Sequence, residues 1–201
     1  MPLEQEAKFI LTDRKKCRKK IIGMGGHSKG RVFETNICYD DKKNTLANNK
    51  SILRLRQDRR VRLTVKTPYK SADQQVKTMN EIEVSVDDFD AMDKILVAIG
   101  FHPAQVYEKW RETIIIDGAE CCLDTMPFGD FLEIESTPDH VRSLSAALDL
   151  PWETRVLDNY LSIFALIKKT EPLSFNNVTF DNFKDVQIDL GRYTALLEAG
   201  L

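Results

Sequence analysis

The chain of 201 residues is 42% hydrophobic and 30% charged, the composition of an ordinary soluble globular domain with enough apolar material for a real core. Its 29 basic and 31 acidic residues leave a net charge of -2, without the basic excess of a general nucleic-acid binder. No stretch approaches the roughly 18 apolar residues of a membrane span.

The N-terminus, Met1-Pro2-Leu3-Glu4, lacks the apolar run of a signal peptide. Cys17, Cys38, Cys121 and Cys122 show no Cys-x-x-Cys spacing, so a reducing cytoplasm is the expected location, with no membrane or nucleic-acid partner.

Leu3–Leu11 alternates as a strand. Asp13–Ile22 reads as an exposed basic helix with Asp13 near its positive end and Gly23 as its stop, and residues 23–30 as a flexible connection. A strand over Arg31–Tyr39 precedes a loop to Asn49. Ser51–Gln57 and Val61–Thr67 form a hairpin around Asp58-Arg59-Arg60, followed by a polar connection from Pro68 to Thr78. Met79–Val86 is a strand, and Asp87–Ile99 a helix capped by Asp87 and ended by Gly100. Strands over Ala104–Asp117 and Glu120–Thr125 flank the turn at Asp117-Gly118, and Phe131–Glu135 is the last strand. Thr137-Pro138-Asp139 opens a helix, and Tyr160–Ile167 continues the helical C-terminal part.

About seven or eight hairpin-connected strands with two to four helices predict an antiparallel α+β architecture. Residues 1–170 form the expected domain. The extension 171–201, with 192–198 helical, has three open roles: packing across the domain, dimerisation, or covering an entrance.

Charged residues stand two apart inside five of these strands: Glu4 and Glu6, Arg54 and Arg56, Glu81 and Glu83, Lys109 and Arg111, Glu133 and Glu135. Residues i and i+2 share a strand face, so each pair makes one face ionic. The opposite faces carry Phe9, Leu55, Ile82, Val84, Trp110 and Ile134, expected to meet the helices. A sheet that curls with its polar faces inside is a barrel or tunnel. Lys8, Arg54, Arg56, Lys66, Lys109 and Arg111 would repel one another in a confined space unless a polyanion lay among them. The acids Glu4, Glu6, Glu81, Glu83, Asp124, Glu133 and Glu135 suit a divalent cation bridging to that anion. Together they predict a site for a metal-complexed polyphosphate.

Glu4-x-Glu6-x-Lys8 resembles the ExExK signature of the CYTH superfamily, the triphosphate tunnel metalloenzymes. Five further blocks follow in family order: Leu53–Arg56, Leu63–Pro68, Glu81–Glu83, Glu108–Arg111 with Cys122-Leu123-Asp124, and Phe128–Glu135. Glu34-Thr35-Asn36 with Tyr39-Asp40 resembles the class IV, CyaB-type adenylyl cyclase-like subgroup. The resemblance implies a closed eight-stranded antiparallel tunnel holding a triphosphate, with Mg²⁺ or Mn²⁺ as cofactor. The six basic residues would bind phosphates, Lys8 as a contact rather than a base. Glu4, Glu6, Asp124, Glu133 and Glu135 would serve the metal, and Glu4, Glu6, Lys8, Glu81 and Glu83 the catalysis. The water-orienting role stays open between Glu81, Glu83 and the Glu133–Glu135 pair. Hydrolysis of tripolyphosphate, ATP or thiamine triphosphate is the preferred reaction. Cyclisation of ATP to cyclic AMP and pyrophosphate is the alternative, and a non-catalytic polyphosphate- or nucleotide-binding module the second. A homodimer is compatible with the sequence.

Other features are read as structural. Residues 23–30 lack the Gly-Lys-Ser/Thr of a phosphate loop, and His27, His102 and His140 show no ligand spacing. Arg62 shares the face of Lys66 but is expected to be an exposed hairpin arginine. Trp110, Cys38 and Cys122 are expected to be packing residues, and Trp152 is left undecided.

Overall fold

The computed structural model describes residues 3–70 and 75–198. Eight strands close into a barrel: β1 (Leu3–Leu11), β2 (His27–Asp40), β3 (Ile52–Gln57), β4 (Val61–Pro68), β5 (Lys77–Val86), β6 (His102–Ile116), β7 (Ala119–Met126) and β8 (Gly129–Glu135). Around the ring they run β1-β5-β4-β3-β2-β6-β7-β8, and every neighbouring pair is antiparallel. The helices are α1 (Arg14–Gly23), α2 (Thr45–Asn48), α3 (Phe89–Ala98), α4 (Pro138–Ala147), α5 (Tyr160–Thr170) and α6 (Thr194–Glu198). None of them is long and apolar enough to cross a membrane.

Local chemistry accounts for the boundaries. Asp13 caps α1 by accepting from the Lys16 amide at 2.9 Å. One turn apart on that helix, Arg14 and Arg18 reach the buried Glu112 of β6 at 3.2 and 2.9 Å, fixing an otherwise polar helix to the barrel. The cap of α3 is Asp88, not Asp87: its carboxylate accepts from the Ala91 amide at 2.9 Å. Asp117 and Gly118 both have positive φ, +48° and +82°, as a two-residue hairpin turn requires. The loop expected before Asn49 contains α2, held by Asp40, which accepts from the amides of Leu46 and Ala47 at 2.9 Å each. β2 begins at His27, four residues earlier than expected. A register shift between Ser28 and Arg31, with Gly30 at φ +91°, carries the strand through what reads as a flexible glycine segment. Residues 71–74 of the expected polar connection, and 199–201, lie outside the described residues.

The hydrophobic core lies outside the barrel wall. Ala7, Phe9, Leu132 and Ile134 pack against Cys17 and Ile21 of α1 and Val141 and Leu144 of α4. Phe128 and Phe131 pack against Phe164 of α5 and against Phe183, Leu190 and Tyr193 of the C-terminal segment. Leu53 and Leu55 meet Leu96 of α3 in a smaller cluster. The expectation that helices cover every apolar strand face fails at β5, where Ile82 and Val84 are 54% and 56% exposed, because α3 packs on β3 instead. Trp110 is likewise not core: it lies half-exposed on the outer face, edge-on to Phe33 at 5.1 Å and under Arg31.

β7 stops short of the N-terminal half of β6, and the C-terminal segment completes that edge. Val178 donates its amide to the Val106 carbonyl at 2.8 Å and accepts from the Glu108 amide at 2.9 Å. The Glu108 carboxylate accepts from the Phe180 amide at 2.9 Å, so this residue anchors the segment rather than facing the tunnel.

Candidate active site

Strand parity turns Glu4, Glu6 and Lys8 of β1 inward while Ala7 and Phe9 face the core. The same alternation in the other strands builds a cavity of about 300 Å³ inside the barrel. Twelve of the thirteen sequence-predicted residues line it: Glu4, Glu6, Lys8, Arg54, Arg56, Lys66, Glu81, Glu83, Lys109, Arg111, Glu133 and Glu135. The thirteenth, Asp124, is on the inward face of β7 but fully buried beneath Lys109, Arg111 and Tyr160.

Charges buried to this degree are tolerated only when paired. Lys8 Nζ lies 2.7 Å from Glu6 and 3.0 Å from Glu133. Lys66 is shared between Glu4 and Glu81, the latter at 2.8 Å. Arg111 contacts Asp124 and, at 2.9 Å, Glu133. Arg56 donates to Asn36 Oδ1 at 2.8 Å, and Arg54 donates to the Tyr107 hydroxyl oxygen at 3.1 Å. Asp124 accepts from Lys109 at 2.8 Å, from Arg111 Nε at 2.7 Å and from the Tyr160 hydroxyl at 2.8 Å. These donors reach both of its oxygens. Arg62 is not an exposed hairpin arginine. It lines the cavity, pairing with Asp58 and lying 3.5 Å from Glu83.

Acidity follows these partners. Burial and Glu133 work to raise the pKa of Glu6, yet Lys77, Lys8 and Lys66 together hold it at about 2. Burial lowers Lys8, but Glu133 and Glu6 outweigh it and keep the ammonium charged. Glu133 is held well below the carboxylate range, since Lys8 and Arg111 overcome its burial. Glu4 is raised by burial and by Glu6, because the lysine it shares with Glu81 does not compensate both acids. Glu135 is raised to about 7, first by burial and then by Glu4, Glu133 and Glu120.

That crowding of Glu135 among acids marks a patch of unbalanced negative charge, which suits a hard divalent cation. Among the described residues no three His, Cys, Asp or Glu side chains converge as a cage. Mg²⁺ or Mn²⁺ held here would therefore take one or two carboxylates and complete its shell with phosphate oxygens and water.

Several lining residues carry no sequence-level expectation. Lys77, Tyr107 and Glu120 share strand parity with Glu81, Lys109 and Asp124, so alternation alone could have found them. Cys38, expected to be packing, lines the cavity, and the buried Cys122 lies 3.7 Å from the Thr113 hydroxyl. Asn159 and Tyr160 enter from the start of α5, where no strand pattern signals them. The Tyr160 ring lies beneath Lys8 and Lys109, 5.4 and 5.0 Å from the ring centre. Trp152 packs beside the core between Arg142 and Arg155.

A closed antiparallel barrel with an interior lined by paired charges of both signs defines a tunnel class of fold. The chain belongs to the CYTH domain family, whose profile matches residues 2–154. A Methanocaldococcus jannaschii protein named putative adenylate cyclase MJ0240 is 26% identical over 149 residues, 73% of this chain and 84% of that one. The X-ray structure of a putative adenylate cyclase from Vibrio parahaemolyticus superposes with a TM-score of 0.72 at 17% identity, covering 81% of this chain and 98% of the other. A Hippeastrum protein, described as a putative adenylyl cyclase with a dominant triphosphatase activity, superposes at 0.56 with 17% identity over 84% and 96% of the two chains.

Proposed function

We propose that this chain is a divalent-metal-dependent enzyme that hydrolyses a phosphoanhydride bond of a triphosphate held in the tunnel. The observation that carries this reading is one cavity lined by eight basic residues, Lys8, Arg54, Arg56, Arg62, Lys66, Lys77, Lys109 and Arg111, with acids interleaved. In this reading Lys8, Arg54, Arg56, Lys66, Lys109 and Arg111 grip the phosphate oxygens, and Asp124 holds Lys109 and Arg111 in position. Glu4, Glu6, Glu133 and Glu135 are the carboxylates available to Mg²⁺ or Mn²⁺, which when bound would neutralise phosphate charge.

In hydrolysis, the oxygen of water forms a bond to the terminal phosphorus as the bridging P–O bond breaks, and the water gives up a proton. A tunnel carboxylate not engaged by the cation accepts that proton, a role open between Glu81, Glu83 and the Glu133–Glu135 pair. Glu81 and Glu83 belong to β5, which flanks β1 on the side opposite β8.

The name borne by the Methanocaldococcus relative favours a second reading, cyclisation of ATP to cyclic AMP and pyrophosphate. The Hippeastrum protein's described activity supports the first. Assays of phosphate, pyrophosphate and cyclic AMP from tripolyphosphate, ATP and thiamine triphosphate, with Mg²⁺ or Mn²⁺, separate the two. Phosphate release is expected. Cyclic AMP with pyrophosphate would replace hydrolysis by cyclisation, and tight binding without product would reduce the chain to a binding module.

A further inference from the structure

Three of the four buried tyrosines give their hydroxyl hydrogen to a carboxylate. Tyr39, Tyr160 and Tyr193 donate to Asp93, Asp124 and Glu171 at 2.7, 2.8 and 2.9 Å. Tyr107 is the exception. It shares the inward parity of Lys109 and Arg111 and lines the tunnel. Its hydroxyl oxygen accepts from Arg54 at 3.1 Å, and among the described residues no acceptor takes its hydrogen. A buried donor without an acceptor is costly, so the missing partner asks for an explanation.

The surroundings indicate which acceptor fits. Burial works to raise the pKa of this phenol, yet Arg54, Arg56 and Lys109 outweigh it and hold the group below its usual value. The hydroxyl thus stands in a positive field, where an anionic oxygen is the acceptor that gains most. The ring is fixed. It packs in the cluster of Met126, Phe128 and Phe131, and its backbone is clasped between Asn36 of β2 and Val178 of the C-terminal segment.

Position along the tunnel assigns a side. One mouth is ringed by acids at strand ends: Glu4 beside the start of β1, Glu83 near the end of β5, Glu120 near the start of β7 and Glu135 at the end of β8. β6 and β8 are both antiparallel to β7, so Tyr107, in the first half of β6, stands toward the mouth opposite Glu135. In-line displacement puts the attacking water and the leaving oxygen on opposite sides of the phosphorus. With the water among the carboxylates of the acidic mouth, the leaving phosphate falls on the side of Arg54 and Tyr107.

We infer that Tyr107 contacts the substrate, donating its hydroxyl hydrogen to a phosphate oxygen on the leaving side while Arg54 holds its own oxygen. That bond strengthens as negative charge gathers on the leaving oxygen during P–O cleavage, so the contact serves turnover more than binding. The catalytic part rests on the triphosphatase reading; the contact itself rests on the geometry.

Tyr107→Phe keeps the ring in its cluster and removes only the hydroxyl. With an unchanged thermal transition, its dissociation constant for tripolyphosphate, measured by calorimetry without divalent cation, should rise about fivefold, the worth of one hydrogen bond. With Mg²⁺ or Mn²⁺ its kcat should fall about 30-fold. Tripolyphosphate added to the parent should move tyrosine absorption to longer wavelength, as donation to an anion does, and Tyr107→Phe should lose that shift. A role exerted only through Arg54 leaves the shift equal in both proteins. Unchanged affinity or an equal shift would overturn the contact. Weaker binding with kcat unchanged would overturn the catalytic part alone. If the parent turns over no triphosphate, the triphosphatase reading fails by itself, and affinity and absorption still decide the contact.

Discussion

Glu6 and Glu135 stand directly opposite one another in the β1–β8 pairing, yet their acidities diverge, Glu6 at about 2 and Glu135 at about 7. Burial does not explain the order. Glu6 is the more deeply buried of the two, and burial alone would raise it further. Glu6 touches Lys8 and Lys77, each at 2.7 Å, whereas Glu135 is surrounded by Glu4, Glu133 and Glu120. One carboxylate is locked in its charged form, and its neighbour titrates in the physiological range.

This divergence gives a pH signature. Glu135 binds its proton more tightly in the folded chain than in the unfolded one, where the carboxyl returns to its ordinary value of 4.5. Its contribution to stability is therefore greatest below 4.5 and falls as pH rises toward 7. Glu6 acts oppositely, favouring the folded state above 4.5 and losing that effect as pH falls toward 2. The thermal midpoint of the metal-free chain should decline between pH 5 and pH 7 more steeply than that of Glu135→Gln. Matching slopes in the two proteins would remove the assignment. Mn²⁺ added at pH 6 should release protons, seen in calorimetry as a heat that depends on the buffer's ionisation enthalpy.

The metal and catalytic assignments separate in two variants. Glu4→Gln, near the acidic mouth, should lower metal-dependent turnover at least about 100-fold while the unfolding midpoint stays close to the parent's. Glu133→Gln should lose activity too, but it leaves Lys8 and Arg111 short of a partner and should cost about 3 kcal/mol of stability in urea unfolding. Full metal-dependent activity in both proteins would sink the metal-site assignment.

Asp124 offers a different contrast. Four donor contacts from Lys109, Arg111 and Tyr160 converge on its two oxygens. Asp124→Asn should destabilise the chain by about 3–5 kcal/mol, because Lys109 and Arg111 lose the carboxylate they share and keep only Glu34 and Glu133. Tripolyphosphate should then stabilise the variant more than the parent, supplying the missing negative charge. Mn²⁺ affinity should stay within a few-fold; a loss of about 100-fold would make Asp124 a metal ligand after all.

The legible part of this protein is the part governed by alternation. A strand presents a different face every residue, so a charge at every second position is enough by itself to specify an ionic interior. That is why Glu4, Arg54, Glu81, Lys109 and Glu133 are identifiable together, and why the barrel follows from them. Tyr160 is not legible because it reaches the tunnel from a helix, by long-range packing that leaves no periodic trace. Arg62 carries the right parity, but its hairpin position argues for exposure. Ile82 and Val84 show the converse: apolar parity marks a face, and only tertiary arrangement decides whether a helix covers it. The early start of β2 is hidden by Gly30, which reads locally as a loop and in the fold permits a strand irregularity.

The contact between Gly129 and Leu190 tests whether the C-terminal segment is part of the working fold. A Cβ on Gly129 would lie 2.3 Å from Leu190 Cδ1 and 3.2 Å from its Cγ, so alanine here must displace the Leu190 side chain, and at φ +153° it also strains the backbone. The side chain at risk is buried among Phe128, Phe164, Phe183 and Tyr193, where displacement exposes an aromatic cluster that also supports α5. Gly129→Ala should cost about 1–3 kcal/mol in urea unfolding. Leu190→Ala alone should cost about 2–5 kcal/mol through the cavity it leaves. Combined, the two should cost less than their sum, because the shortened Leu190 no longer obstructs the new methyl group. Strict additivity would mean that the segment does not sit on Gly129 in solution. Coupling, accompanied by reduced turnover in Gly129→Ala, would tie the segment through α5 to the placement of Tyr160 beneath Lys8 and Lys109.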